Sequence, residues 1–319
     1  MRTLERSPVR RPRGAAVVTA LLVCALAAAL STALLVHVDD WIEHVAAGRD
    51  RAQALELARA GVDFARVILA EDQRLTAVDT LDEDWARILP PMSVEGGQLS
   101  GRIEDLQGRW NLNNLLRGGS IDSEALSTYR RLLVVLGLGE ELADSLADWL
   151  DSDEKARPGG AESAYYLNLK PPYPAANGAL EHVSNLRRIK GYDGTVLQRL
   201  APYVAALPGV QPVNLNTAPP EVLHAIEPTL SLSEARQLVA SRRSAYFRDL
   251  ADFRARLPNP ASATLASAVG VSSQYFLATA EIVVGSSRLV LNSLLERSAA
   301  RGRAGGTSGK PKILWQSMQ

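Results

Sequence analysis

The chain begins with a sharp alternation of polarity. Residues 1–14 are basic, with Arg2, Arg6, Arg10, Arg11 and Arg13 against the single acid Glu5. Residues 15–38 (AAVVTALLVCALAAALSTALLVHV) carry no formal charge beyond the one His37 can take, and Asp39 and Asp40 follow. Twenty-four helical residues, each rising about 1.5 Å, cross a hydrocarbon core of about 30 Å. Positive charge before the span and negative charge after it place the N-terminus in the cytoplasm. Residues 41–70 contain no proline and are rich in Ala, Leu, Glu and Arg, all good helix formers. Val45, Ala52, Leu55, Val62 and Leu69 recur at separations of three or seven, which makes an apolar stripe. The pattern predicts one helix of about 55 residues, roughly 80 Å long, with its first half in lipid and its second half against a globular head. A break at Asp39-Asp40, capping a second helix, is the alternative.

Beyond this helix the periods are shorter. Residues 71–97 look irregular, with turns at Leu89-Pro90-Pro91 and Gly96-Gly97. Residues 98–106 alternate as a strand, and the asparagine-rich run 111–115 has the short polar side chains of a capping turn. Helices are expected over 121–150, broken at Gly137-Leu138-Gly139, and over 181–206, interrupted at Gly191. A helix beginning at Thr217 or Ala218 would take Pro219-Pro220 in its first turn, and further helices are expected over 232–243 and 248–256. Strands are expected over 275–285, 286–297 and 312–316, with a hairpin at Gly285-Ser286-Ser287 and a flexible connection over 298–310. β elements thus flank a helical block, as an insertion into a sheet or a second domain.

Composition narrows the chemistry. Lys+Arg and Asp+Glu both number 35, so no net charge draws the chain toward nucleic acid. The one cysteine, Cys24, lies in the apolar segment, which excludes disulfides and cysteine-based zinc sites from the rest. No nucleophile elbow, phosphate-binding loop or HExxH metal motif is present. Two segments have the outline of helix–hairpin–helix units, but one connection (EPTLS) has no glycine. The other is followed by Glu140 and Glu141, which repel a phosphate. Both read as packing units. The densest polar cluster is Asp148, Asp151, Asp153, Glu154 and Glu162 in DWLDSDEKARPGGAES. Carboxylates at a helix end and in the following loop suit a hard cation such as calcium. A solvated acidic loop, partly neutralised by Lys155 and Arg157, is the alternative. Tyr165, Tyr166 and Tyr173 either form an exposed recognition loop on a membrane anchor or pack that loop down.

The leader admits three readings: a cleaved signal peptide, a plain signal anchor, or a prepilin-like leader cut after Gly14. RG-AAVVTALLV, VEGGQLSGRIEDLQGRWNLNNL, LADWLDSD, RPGGAESAYY, LKPPYPAANGAL and PVNLNTAPPEVL occur in one order that resembles the GspK-type minor pseudopilins of the type II secretion system. The resemblance implies an α+β, type IV pilin-like fold. In it a long N-terminal helix packs on an antiparallel sheet that carries a large, mostly α-helical inserted domain. It implies a leader over 1–14, a helix with a membrane part over 15–38 and a periplasmic part over 39–73, a head from 74–112 and 266–319, and an insertion over 113–265. It further implies cleavage between Gly14 and Ala15 with N-methylation of Ala15, and Thr19 at the fifth mature position, where most pseudopilins carry Glu. Calcium would be held in the insertion by Asp148, Asp151, Asp153 and Glu162. The implied role is non-enzymatic: a single-pass inner-membrane subunit that moves to the pseudopilus tip. Its implied partners are two other minor pseudopilins in a ternary complex, the major pseudopilin, prepilin peptidase, the inner-membrane assembly platform and secreted exoproteins, with no nucleic acid.

Overall fold

The computed structural model describes residues 15–260, 269–298 and 309–318. The leader 1–14, residues 266–268 of the expected head and most of the 298–310 connection lie outside the described residues. α1 runs unbroken over Ala15–Leu75, through residues 39 and 40, so no second helix begins there. Its 61 residues correspond to a rod of about 90 Å. Residues 15–38 are exposed throughout their described side chains, and this is the one stretch among the described residues long and apolar enough to cross a membrane.

The buried stripe of α1 is Ala54, Ala58, Val62, Ala65 and Leu69. Val62 and Leu69 were expected there, but Val45 and Ala52 are exposed and Leu55 is only half-buried. The difference follows from size and height. Small alanines let the helix lie close on a sheet, whereas Val45 lies at the open turn end of the sheet, beside Gly96 and Gly285.

After α1 a single turn of 3-10 helix (Asp84–Ala86) precedes β1 (Leu89–Val94) and β2 (Gly97–Asp105). The segment around Pro90-Pro91 is therefore an edge strand rather than a turn. Proline, lacking an N–H, fits there because only one side of the strand is paired. β3 (Trp110–Asn111), β4 (Leu116–Arg117) and β5 (Ser120–Ile121) lead into α2 (Ser123–Val135), α3 (Glu141–Leu150) and α4 (Ser163–Tyr166). The expected helix over 181–206 is instead a 3-10 turn (Val183–Arg188) and α5 (Gly194–Leu200), after which the chain enters β6 (Val204–Ala205). The buried Tyr192 between them bonds the Tyr129 hydroxyl and Leu142 O, a tertiary tie that overrides local helicity. β7 (Val213–Asn214), α6 (Pro220–Ile226), α7 (Leu232–Ser241) and α8 (Leu250–Ala255) follow. α6 starts at Pro220 with Pro219 as its N-cap, later than Thr217 or Ala218. The chain closes with β8 (Val269–Gly270), β9 (Tyr275–Val284), β10 (Ser287–Glu296) and β11 (Lys312–Met318).

Five strands form one antiparallel sheet in the order β1-β2-β9-β10-β11. The β9–β10 hairpin turns through Gly285 at φ 51°, a conformation that favours glycine. Phe276, Ala278, Ala280 and Ile282 alternate toward α1, and Trp85 packs edge-on against Phe276 at 5.2 Å. On the other face Tyr275 and Leu294 meet Leu106, Ala205 and Leu207, which seats the helical block against the sheet. That block has its own core, drawn from Trp110 to Leu257.

The asparagine run ties the block together. Asn113 donates to Leu180 O and Leu207 O and accepts from Leu180 N. Asn111 donates to Gly209 O, and Asn114 to Gln211 O. The chain enters through β3, paired in parallel with β6, and leaves through β8, paired in parallel with β7. Entry and exit meet at a buried polar knot, where Asp105 Oδ2 accepts from Asn214, Thr217 and Ser273. The fold class implied by the sequence is the one observed: a long helix on an antiparallel sheet with a helical insertion.

Candidate metal centre

α3 buries Leu142, Leu146, Trp149 and Leu150, and the same turn carries Asp148 inward to complete burial. Asp151 is the C-cap of α3. The chain then loops outward and returns along α3 through Gly159-Gly160. A Cβ on Gly160 would collide with Asp148 Oδ2, so only glycine allows this close return. Lys190 Nζ donates to Gly159 O (3.3 Å) and Gly160 O (2.9 Å) and pins the return. Glu162, the N-cap of α4, thereby arrives beside Asp151.

Asp151, Asp153 and Glu162 each offer a carboxylate oxygen, all within 4.8 Å of one another. Asp151 and Glu162 are buried, at 3% and 5% exposure, while Asp153 is exposed. Asp148 stands behind this trio. Its Oδ1 accepts from Arg157 Nη1 at 2.5 Å and its Oδ2 from Arg157 N at 3.0 Å. Arg157 Nη1 also donates to Asp151 Oδ2 at 2.8 Å. Of the four expected ligands, three converge and the fourth is held by an arginine. Arg157 thus supplies part of the neutralisation; Asp148, Asp151 and Glu162 are buried, while Asp153 and Glu154 lie on the exposed side of the loop.

The balance is incomplete. Asp151 Oδ1 and both Glu162 oxygens are buried with no hydrogen-bond partner. Burial first, and then the charges of Asp148, Asp151, Glu154 and Asp153, push the Glu162 carboxyl up to about 7. A buried carboxylate in this state either keeps its proton or meets a cation. Hard oxygen donors converging from a loop fit calcium. One neighbour was not legible in the sequence. Asn177, in the left-handed region at φ 46°, has a buried Oδ1 without a partner. Its Nδ2 donates to Glu154 Oε1 at 3.1 Å, which also accepts from Ser163 Oγ at 3.0 Å. The Asn177-Gly178 pair was available only as a turn signal.

The tyrosines pack this loop down. Tyr166 is fully buried, edge-on to Trp149 at 5.0 Å and stacked on Tyr173 at 5.6 Å. Tyr173 donates its hydroxyl to Arg188 O, and only Tyr165 is exposed. The histidines serve local structure: His182 caps the 3-10 turn at Val183, and His224 Nδ1 lies 2.7 Å from Leu230 O. At the Gly137 hairpin, Leu136 O accepts from the Arg199 guanidinium. At the second hairpin Glu227 Oε1 accepts from Thr229 N and Oγ1, which puts a carboxylate where a phosphate nest would need amides. At the membrane end Gly14 lies outside the described residues and Ala15 begins α1. Thr19 Oγ1 donates back to Ala15 O at 2.6 Å, within its own helix.

Family models described as "Type II secretion system (T2SS), protein K" match residues 108–209 and 213–272. The Type II secretion system protein K of Pseudomonas aeruginosa is 35% identical, across 97% of this chain and 93% of its own length. The chain belongs to the type II secretion system protein K family. A second relative of that name, from Klebsiella pneumoniae, is 32% identical over 90% of this chain and 93% of its own. A chain in the crystal structure of the GspK-GspI-GspJ complex from enterotoxigenic Escherichia coli superposes with a TM-score of 0.74 at 25% identity. That match covers 86% of this chain and 99% of the other. Protein K is a structural, non-enzymatic secretion component, and α1 of this member carries an apolar span of the kind that anchors such a component.

Proposed function

We propose that this chain is the minor pseudopilin at the tip of the type II secretion pseudopilus, where it assembles with two other minor pseudopilins to start and cap the filament. The observation that carries this reading is Thr19. In a pseudopilus the fifth-position carboxylate pairs with the N-terminal amine of the subunit above, and here a hydroxyl folded back on its own helix replaces it. A subunit with nothing above it has no amine to neutralise, and an unpaired carboxylate in lipid is unfavourable. The relative in the GspK-GspI-GspJ complex supports the ternary arrangement. Before assembly the chain spans the inner membrane once, N-terminus in the cytoplasm and head in the periplasm. Prepilin peptidase cuts between Gly14 and Ala15 and the new amine is methylated. The insertion carries a calcium ion held by Asp151, Asp153 and Glu162, with Asp148 behind them positioning Arg157; the ion supplies the charge that staples the 151–162 loop.

The test is where the chain sits on the filament. Immunogold labelling of an epitope-tagged chain on sheared pseudopili should mark one end only, and label spaced along the filament would overturn the tip role. Thr19→Glu supplies a second readout. It should lower filament number and exoprotein release several-fold while leaving the subunit in the membrane, and unchanged secretion would remove the argument from position five.

A further inference from the structure

The second helix–hairpin–helix unit contains a buried cation with no counter-charge. Arg242, just beyond α7, is 7% exposed. Its Nη1 donates to Leu215 O at 2.7 Å and Ala218 O at 2.6 Å, which fixes the guanidinium against the segment entering α6. No carboxylate among the described residues pairs with it, whereas the other well-buried arginine, Arg297, holds two aspartates. Burial and the neighbouring positive charge of Arg243 bring the Arg242 guanidinium down to about 10, and no acid opposes them. Both arginines line a pocket of about 250 Å³ at the seam between the loop after α1 and the end of α7. Thr80, Leu81, Val239 and Tyr246 complete its wall. Asp82 lies at the same pocket, exposed, and forms an ion pair with neither arginine.

We propose that this pocket is a docking site for a carboxylate on a short apolar stem: an acidic side chain of a partner protein, inserted between head and insertion. Two guanidinium groups against one exposed aspartate leave the site net positive. The free edge of Arg242 is held in place before any ligand arrives, so the ligand loses little to ordering it. Leu81, Val239 and Tyr246 suit methylene groups, and the fork of an arginine suits a planar carboxylate. Asparagine is not a competing ligand from within, because the Asn216 amide is already committed to Phe247 N and O. Docking here would bridge two parts of the chain that otherwise meet at the base of the insertion.

The experiment titrates sodium butyrate, and in parallel butyramide and inorganic phosphate, into the full-length chain in detergent at constant ionic strength and saturating calcium, read by thermal unfolding and by NMR of the arginine side chains. Butyrate should give a saturable rise in Tm and shift the Arg242 Nε signal, and butyramide should do neither. Arg243→Ala, an exposed position, should fold normally and weaken butyrate at least tenfold. Asp82→Asn should tighten it, an effect that damage to the fold cannot imitate. Equal responses to butyrate in the wild type, Arg243→Ala and Asp82→Asn would overturn the site. Saturable binding of phosphate without butyrate would overturn the acidic side chain as its ligand.

Discussion

Calcium added to the chelator-stripped, full-length chain in detergent should bind saturably and raise its unfolding temperature, and Asp151→Ala/Asp153→Ala should abolish both effects. The expectation follows from a charge imbalance. Arg157 satisfies Asp148 and one oxygen of Asp151, but Asp151 Oδ1 and both Glu162 oxygens remain buried and bare. A ligand at a hundredfold excess over its Kd stabilises by about 2.7 kcal/mol, which is several degrees for a chain of this size. Glu162→Gln, which keeps the shape and removes the charge, should weaken calcium by at least about tenfold, since ligand charge tunes such sites. The pH dependence has a definite sign. The Glu162 carboxyl is raised from 4.5 to about 7 in the folded chain. Without metal, its contribution to stability is therefore full below about pH 4.5 and is lost as pH rises through 7. Calcium must displace that proton, so its affinity should fall up to about tenfold for each unit below pH 7, and Glu162→Gln should flatten that slope. A calorimetric titration with no saturable heat, from a folded protein, would leave Arg157 as the sole counter-charge and sink the metal assignment. Asp72, Asp79 and Glu83 provide an internal control. They also converge, but Arg297 already pairs with Asp72 and Asp79, and Glu83 accepts from Thr80 N and Trp85 Nε1, so Asp72→Asn should leave the calcium isotherm unchanged.

Local signals in the sequence were reliable where one element decides the outcome. Asp148 and Asp151 are three apart at the end of an amphipathic helix, so a shared face was readable from period alone. Glu162 stood in the same acidic cluster along the sequence, but its place beside Asp151 was not readable there, because the ten intervening residues must fold back through Gly159-Gly160 to bring it home. The apolar stripe of α1 was read correctly at Val62 and Leu69 but not at its N-terminal end. Seven-residue spacing put Val45 and Ala52 on the stripe, whereas the buried Ala54, Ala58 and Val62 follow at intervals of four, and only the position of the sheet decides between them. Pro90-Pro91 looked like a turn because strand edges cannot be recognised until the sheet order is known. The knot at the base of the insertion joins residues more than a hundred positions apart, and no window along the chain contains it.

The same knot yields the largest expected loss of stability. Arg297 Nη1 donates to Asp72 Oδ2 at 2.8 Å, and Nη2 to both Asp79 oxygens and to Ser273 O. Its guanidinium lies 4.8 Å over the Phe276 ring. One side chain at the end of β10 therefore holds the last turn of α1, the loop after it and the segment entering β9. Asp79 Oδ2 in turn accepts from Ser273 N, next to the donors that satisfy Asp105. Arg297→Met keeps most of the volume and removes the fork, which leaves Asp72 and Asp79 buried without a cation. Breaking a buried pair in this way costs about 3–5 kcal/mol, and Arg297→Lys should recover only part of it because a lysine cannot reach three acceptors in a plane. The deficit should depend on pH. Asp72 is already raised from 3.8 to about 7 by burial and by the charges of Glu83 and Asp79, against the pull of Arg297. Its contribution is full below about pH 3.8 and lost as pH rises through 7. Removing the arginine raises that carboxyl further, so the variant should be weakest near pH 8 and regain ground near pH 5. Urea unfolding of the full-length chain at those two pH values measures the effect. A loss below about 1 kcal/mol, the level of a surface pair, or one equal at both pH values, would mean that packing around Phe276 rather than the ion cluster fastens the insertion to the head.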